Sequence, residues 1–100
     1  MIGTYSPSLY RSPRRRVGAA PVTVYGTSWC AHSQLVRRHL DRLGVPYQYV
    51  DLEAHPRAAA QVRWLTGGSV SHPTVSVAGE VLVEPSIGEL DLALERAGLI

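Results

Sequence analysis

Residues 22–33 read VTVYGTSWCAHS, and this stretch decides the fold of the chain. Its β-branched and aromatic beginning is typical of a short strand, Gly26 interrupts the strand, and apolar residues from Leu35 onward recur at helical spacing. The pattern predicts a strand, a tight turn and a helix, with Cys30, the only cysteine, at the helix start. Unpaired N–H groups in a first helical turn favour a thiolate. Cys30 is therefore a candidate nucleophile, the alternative being a small residue that packs at a helix start.

The rest of the chain alternates helices and strands. The first helix carries an apolar stripe and ends at Gly44, and the stripe consists of Leu35, Val36, His39, Leu40 and Leu43. A strand over 47–52 follows, and then a helix that begins at Pro56, ends at 67–68 and has a stripe of Ala58, Val62 and Leu65. Strands over 74–77 and 81–83 flank a turn, and a last helix capped by Ser86 carries Ile87, Leu90, Leu94 and Ala97.

This order of elements predicts how the strands pair. Two strands joined through a helix are expected to be parallel, whereas the closely spaced final pair is expected to be an antiparallel hairpin. The sequence therefore predicts an α/β fold, with a four-stranded mixed sheet flanked by three helices in the order βαβαββα.

Basic charge is concentrated at the N-terminus. The first twenty residues contain four arginines and no acid, whereas the other eighty contain six arginines against eight acids. We predict a flexible basic extension over 1–20, with anion binding as its alternative role, and one domain over 21–100. The sequence pI of about 9.0 reflects the extension, which argues against a nucleic-acid-binding domain. The chain shows no apolar run of membrane-spanning length and no secretory signal pattern, so we expect a cytoplasmic protein.

Over about residues 21–97 the chain resembles the glutaredoxin group of the thioredoxin-like superfamily. The resemblance rests on the strand ending in Tyr25, the segment Trp29-Cys30-Ala31-His32-Ser33, the Gly67-Gly68 pair, Ser71-His72-Pro73-Thr74, and residues 82–86. The Trp29-Cys30 and Glu84-Pro85-Ser86 segments are most similar to mycoredoxins. The resemblance implies a thioredoxin-like fold, a cis peptide bond before Pro73, and a loop around Pro73 that faces Cys30.

Ser33 stands where dithiol members of that family have a second cysteine. Serine can donate a hydrogen bond to the Cys30 thiolate, but it cannot attack a disulfide of Cys30. We therefore predict Cys30 and Ser33 as catalytic residues of a monothiol cycle that needs a thiol from outside the chain. A serine here is also what a cysteine replacement made to trap the mixed disulfide would leave.

The resemblance implies that a small thiol binds beside Cys30, and the candidate ligand-binding residues are Trp29, His32, Arg37, His72, Pro73 and Thr74. A protonated His32 or His72 would stabilise the thiolate, the alternatives being a solvent-facing His32, a water-bonded His72 and a solvated Arg37. Many glutathione-using members carry a lysine before the cysteine and a glycine-rich acidic segment before the last helix. The chain has no lysine and lacks that segment. Mycothiol or bacillithiol is therefore favoured over glutathione as co-substrate.

The leading hypothesis is a monomeric thiol–disulfide oxidoreductase that reduces mixed disulfides between proteins and a small thiol, without a metal. The first alternative is a carrier that shares an iron–sulfur cluster between two subunits through Cys30. Ala31 and His32 count against it, because the cluster-binding members typically have glycine and then an aromatic residue there. The second alternative is a catalytically weak binding module of the same fold.

Overall fold

The computed structural model of the protein describes residues 20–68 and 72–100. Of the extension predicted over 1–20, only Ala20 falls inside these ranges, and Ser71 also lies outside them. The described residues form the predicted βαβαββα order. The elements are β1 (Val22–Gly26), α1 (Ala31–Leu43), β2 (Gln48–Asp51), α2 (Pro56–Thr66), β3 (Thr74–Val77), β4 (Glu80–Val83) and α3 (Ile87–Arg96).

The four strands form one mixed sheet in the order β2-β1-β3-β4. β1 is parallel to β2 and antiparallel to β3, and β3 is antiparallel to β4. The predicted parallel pair and the predicted hairpin are therefore both confirmed. β1 lies inside the sheet, so the turn that follows it, and with it Cys30, is held by neighbours on both sides.

The core lies on the face of the sheet to which alternate residues of β1 point. Val22 is opposite Val77 and Val24 is opposite Val75, so these four side chains share one face. They pack in one buried cluster with residues of α1 and α3, namely Val36, Leu40, Leu90, Ala93 and Leu94. The cluster anchors α1 against the sheet and thereby fixes the position of its first turn.

The predicted end signals of the helices are confirmed. Gly44 and Gly67 close α1 and α2 in the left-handed conformation, at φ 71° and φ 80°, where glycine has no Cβ penalty. Pro56 lies in the first turn of α2. Ser86 caps α3: its Oγ accepts from the Glu89 N–H at 3.1 Å, and the Ser86 N–H donates to Glu89 Oε1 at 2.8 Å.

The predicted apolar stripes of α1 and α2 are too wide. In α1 the buried residues are Ser33, Val36 and Leu40, while Leu35 and Leu43 are each 41% exposed. Residues spaced by three and four positions point at the sheet, and Leu35 lies off that line. Leu43 keeps the spacing but is the last residue of α1. In α2 only Val62 is buried, because this helix packs against the edge strand β4. None of the helices in the described ranges is long and apolar enough to cross a membrane.

Candidate active site

Cys30 lies in the turn between β1 and α1 and is the N-cap residue of α1. Its backbone is extended, at φ −85° and ψ 116°, and its N–H donates to the Thr27 carbonyl at 3.3 Å. The thiol is free and partly buried, and the first turn of α1 contains no acidic residue. The N–H groups that open the helix are therefore available to a negative charge on the sulfur.

The pKa of Cys30 reflects two opposing influences. Partial burial raises it, but hydrogen bonds to the sulfur outweigh burial and lower the pKa from its ordinary 9.0 to about 7. The hydrogen bonds come from the side chain and backbone of Ser33, the side chain of His72 and the backbone of His32. At pH 7 roughly half of the molecules therefore carry the thiolate, which is the nucleophilic form.

The loop that precedes β3 meets Cys30 from the opposite side. The predicted cis peptide bond between His72 and Pro73 is confirmed. The Cys30 thiol donates to the His72 carbonyl at 3.7 Å, and the Pro73 carbonyl accepts from the Glu84 N–H at 2.8 Å. Thr74 is fully buried at the beginning of β3, opposite Tyr25 and Val83, so its side chain does not reach the surface.

The two candidate histidines have different surroundings. The side chain of His72 lies beside the sulfur and is one of the causes that lower the pKa of Cys30, and its Nδ1 is buried without a hydrogen-bond partner. His32 contributes through its backbone instead, since its ring donates from Nε2 to the Pro85 carbonyl at 2.8 Å. The ring of His32 thus ties α1 to the loop before α3.

Ser33 lies on the buried face of α1, directly behind the sulfur. Its side chain is fully buried, and hydrogen bonding from Ser33 to the thiolate lowers the pKa of Cys30. Gly26 leaves the space that this side chain fills, because a Cβ on Gly26 would lie 2.5 Å from Ser33 Oγ. Any larger residue at the end of β1 would therefore displace Ser33.

The side chain of Trp29 lies at the surface next to the thiol. Its side chain is 65% exposed, yet it has two specific contacts. The indole Nε1 donates to Glu53 Oε2 at 2.8 Å, and the ring meets the His72 imidazole edge to face, with centroids 5.1 Å apart at 82°. Trp29 is therefore fixed against the residue that touches the sulfur.

Arg37 contacts Tyr49 of β2 and Tyr47, which precedes that strand. Its guanidinium carbon lies 3.8 Å from the centre of the Tyr49 ring, and it donates to the Tyr47 hydroxyl and to Gln34 Oε1 at 3.4 Å each. Burial raises the pKa of Tyr49, whose hydroxyl is buried without a hydrogen-bond partner. Arg37 is thus a cation held on aromatic rings, one helical turn and more beyond the thiol.

Three residues at the site are absent from the set of residues predicted to act there. Gly26 has a local signal, since a glycine at the end of a strand often marks a close backbone approach. Glu53 and the Pro85 carbonyl have none, because they come from segments distant in the chain. No group of three or more His, Cys, Asp or Glu side chains suited to a metal ion is found within 20–68 and 72–100.

Comparison with known proteins identifies the structural class to which this protein belongs. A glutaredoxin family model matches residues 22–82. A crystal structure of a thioredoxin-like protein superposes with a TM-score of 0.67 at 27% identity, covering 73% of this chain and 99% of that one. A glutaredoxin from Archaeoglobus fulgidus superposes with a TM-score of 0.69 at 23% identity, covering 83% and 98%. The protein has the thioredoxin-like fold.

Two curated relatives narrow the class to a family. A protein of Mycobacterium tuberculosis H37Rv named as a glutaredoxin is 39% identical over 79 residues, covering 77% of this chain and 93% of the relative. A Pseudomonas aeruginosa glutaredoxin is 31% identical over 80 residues, covering 78% and 88%. The chain belongs to the glutaredoxin family and is a glutaredoxin-type thiol–disulfide oxidoreductase. Such proteins use a low-molecular-weight thiol such as glutathione.

Proposed function

We propose that the protein is a monothiol, mycoredoxin-like oxidoreductase that removes a small thiol from S-thiolated proteins. The observation that carries the proposal is a single cysteine with a pKa of about 7 whose neighbour one turn along the helix is a buried serine. The thiolate is reactive near neutral pH, and the described site offers it a hydroxyl in place of a second thiol.

The reaction consists of two exchanges. In the first, the Cys30 thiolate attacks the small-thiol sulfur of a protein mixed disulfide, a Cys30–small-thiol disulfide forms, and the protein sulfur leaves as a thiolate. In the second, a free small-thiol thiolate attacks that disulfide, Cys30 leaves as a thiolate, and two small thiols end joined by a disulfide. Two electrons pass from the small thiols to the protein mixed disulfide, which is the oxidant, and the balance needs no other oxidant and no metal.

The surrounding residues support both exchanges by stabilising the thiolate form of Cys30, which is the attacker in the first and the leaving group in the second. Ser33 and the first-turn N–H groups hold the charge from the helix side, and His72 holds it from the loop side. A low pKa assists departure of Cys30 in the second exchange, because a more acidic thiol leaves faster.

The ligand surface is proposed to run from Trp29 across the His72–Pro73 loop toward Arg37. Trp29 is exposed enough to contact an incoming mixed disulfide, and Arg37 supplies a cation for an anionic group. The absence of lysine from the chain favours mycothiol or bacillithiol over glutathione. Mycothiol is the leading candidate on the mycoredoxin-like Trp29-Cys30 and Glu84-Pro85-Ser86 segments.

The test is reduction of a protein mixed disulfide prepared with mycothiol, bacillithiol or glutathione, each assayed with its own free thiol. We expect turnover highest with mycothiol. Because Cys30 is the only cysteine, the mass of the adduct trapped with limiting thiol identifies the intermediate without ambiguity. In the matched variant Ser33→Cys, the new thiol lies beside Cys30 and is expected to discharge that adduct as an internal disulfide.

The turnover assay, iodoacetamide labelling and reconstitution with iron and sulfide each have an outcome that would overturn the proposal. Failure to turn over with all three thiols, while Cys30 still reacts with iodoacetamide, would assign the chain to the binding modules. A visible absorbance band after anaerobic reconstitution with iron and sulfide would favour the cluster carrier. With iodoacetamide, the rate should rise as pH increases through about 7, since the thiolate population grows with pH.

A further inference from the structure

Glu53 lies 23 residues beyond Cys30 and outside every segment that the sequence predicts to form the site. It follows β2 in a turn whose backbone is tied down on several sides. The Glu53 N–H donates to Asp51 Oδ1 at 2.9 Å, and the neighbouring Leu52 N–H donates to the Gly26 carbonyl at 2.9 Å. Leu52 is itself buried. The carboxylate of Glu53 therefore extends from a fixed backbone next to the end of β1.

The carboxylate is used to hold Trp29. The indole is 65% exposed, and an aromatic side chain that exposed would change rotamer freely without a polar anchor. Its Nε1–H donates to Glu53 Oε2 at 2.8 Å, within the range of a charge-assisted hydrogen bond. The anchor selects one indole orientation, in which the ring meets His72 edge to face.

His72 in turn depends on that contact. Its Nδ1 is buried with no hydrogen-bond partner, so no hydrogen bond from that nitrogen fixes the ring. Ring contact with Trp29 on one side and the sulfur on the other therefore constrain the imidazole. We propose that Glu53 is a positioning residue of the Cys30 site: its carboxylate holds Trp29, and Trp29 holds His72 beside the sulfur. The inference rests on the proposed function and names a further residue of the same site.

Glu53 could affect the pKa of Cys30 through its negative charge or through its hold on Trp29, and these two routes predict opposite shifts of that pKa when Glu53 is removed. The ionisable groups around Trp29 and Cys30 are Asp51 at the end of β2, Glu53 after it, His32 in α1 and His72 before β3. A carboxylate acting on the thiolate through its charge alone would raise the pKa of Cys30, so its loss would lower that pKa. If Glu53 acts through Trp29 and His72, its loss weakens a hydrogen bond to the thiolate and raises the pKa.

The experiment measures the pH profile of Cys30 alkylation in the full chain. We expect Glu53→Ala to raise the pKa above about 7 and to slow alkylation at pH 7 by roughly two- to fivefold, as loss of one modest hydrogen bond predicts. Glu53→Gln keeps an oxygen acceptor for the indole and should behave like the original chain. Glu95→Ala, which removes an exposed acid from α3, is the matched control and should change nothing.

A second variant tests whether Glu53 acts on Cys30 through Trp29. Trp29→Phe keeps a ring but removes the N–H donor, so Glu53→Ala should have no additional effect in the Trp29→Phe background. The proposal is overturned if Glu53→Ala leaves the pKa unchanged or lowers it, if Glu53→Gln matches Glu53→Ala, or if the two changes add independently. Alkylation does not require turnover, so a chain that fails to reduce mixed disulfides would refute the proposed function and still allow this test.

Discussion

The starts of α1 and α3 have similar backbone geometry and opposite chemistry. Both N-cap residues are extended, Cys30 at ψ 116° and Ser86 at ψ 163°, and both lead directly into a helix. Ser86 is engaged in a capping box with Glu89, whereas Cys30 makes no side-chain cap and the first turn of α1 has no acid. At the start of α3 the capping box pairs the N–H groups of Ser86 and Glu89 with side chains, whereas the first-turn N–H groups of α1 are left for a charged sulfur.

The difference shows how a helix start becomes reactive. The carboxylate of a capping box accepts from the N-cap N–H and stabilises the helix start, but it would also repel a thiolate. In α1 the first-turn N–H groups instead lower the pKa of Cys30, together with Ser33 and the His72 loop. The start of α1 therefore lacks a stabilising side-chain cap and has a reactive thiolate, whereas the start of α3 has the capping box.

The largest expected effects come from substituting the two N-cap residues, one at a time. Cys30→Ser should abolish thiol-dependent turnover completely and should not lower the free energy of unfolding, because Cys30 makes no cap and a serine there gains up to about 1 kcal/mol if its Oγ accepts a first-turn N–H. Ser86→Ala should do the reverse, lowering the free energy of unfolding by about 1 kcal/mol and retaining turnover. Urea denaturation and the mixed-disulfide assay measure the two quantities. Turnover in Cys30→Ser, or its loss in Ser86→Ala, would contradict the comparison.

The second effect concerns the space around two glycines, Gly26 at the end of β1 and Gly88 at the start of α3. A Cβ at Gly26 would meet Ser33 Oγ at 2.5 Å, whereas a Cβ at Gly88 in α3 would meet only Ser86 Oγ, at 4.0 Å. Gly26→Ala should therefore lower the free energy of unfolding by about 1–3 kcal/mol and slow Cys30 alkylation, since Ser33 must move. Gly88→Ala is the matched control and should gain up to about 1 kcal/mol from helix propensity. Equal stabilities of the two variants in urea would show that Gly26 is not constrained by Ser33.

The smallest effect comes from giving α1 the acid that α3 has. Ala31 is exposed in the first turn, so Ala31→Glu adds a carboxylate near the sulfur without disturbing the core. We expect the pKa of Cys30 to rise above about 7 and alkylation at pH 7 to slow by roughly two- to threefold. The isosteric Ala31→Gln should retain the original profile. The rates of both variants should converge above pH 9, where the thiol is ionised in each; a persistent difference there would indicate steric blockage.

Features governed by neighbouring residues could be predicted from the sequence. The β1 pattern, the glycines at 44 and 67, Pro56 and the Ser86 cap all act within a few residues of themselves, and each has the predicted role. Exposure could not be predicted as well. Leu35 and Leu43 fit a helical stripe, yet they are left exposed because the sheet covers only a narrow face of α1. The ring of His32 likewise turns to Pro85, a partner 53 residues away.

By itself the sequence determined the order of elements, the single cysteine at a helix start and the serine that rules out an internal dithiol cycle. These follow from side-chain periodicity and from the chemistry of individual residues, which need no knowledge of distant contacts. Only the tertiary structure decided which groups surround the sulfur. The His72 ring, Trp29 and Glu53 lie close to Cys30 because the end of β2, the beginning of β3 and the turn after β1 are all at the same end of the sheet. Their chain separations of up to 42 residues leave no local signal of that meeting.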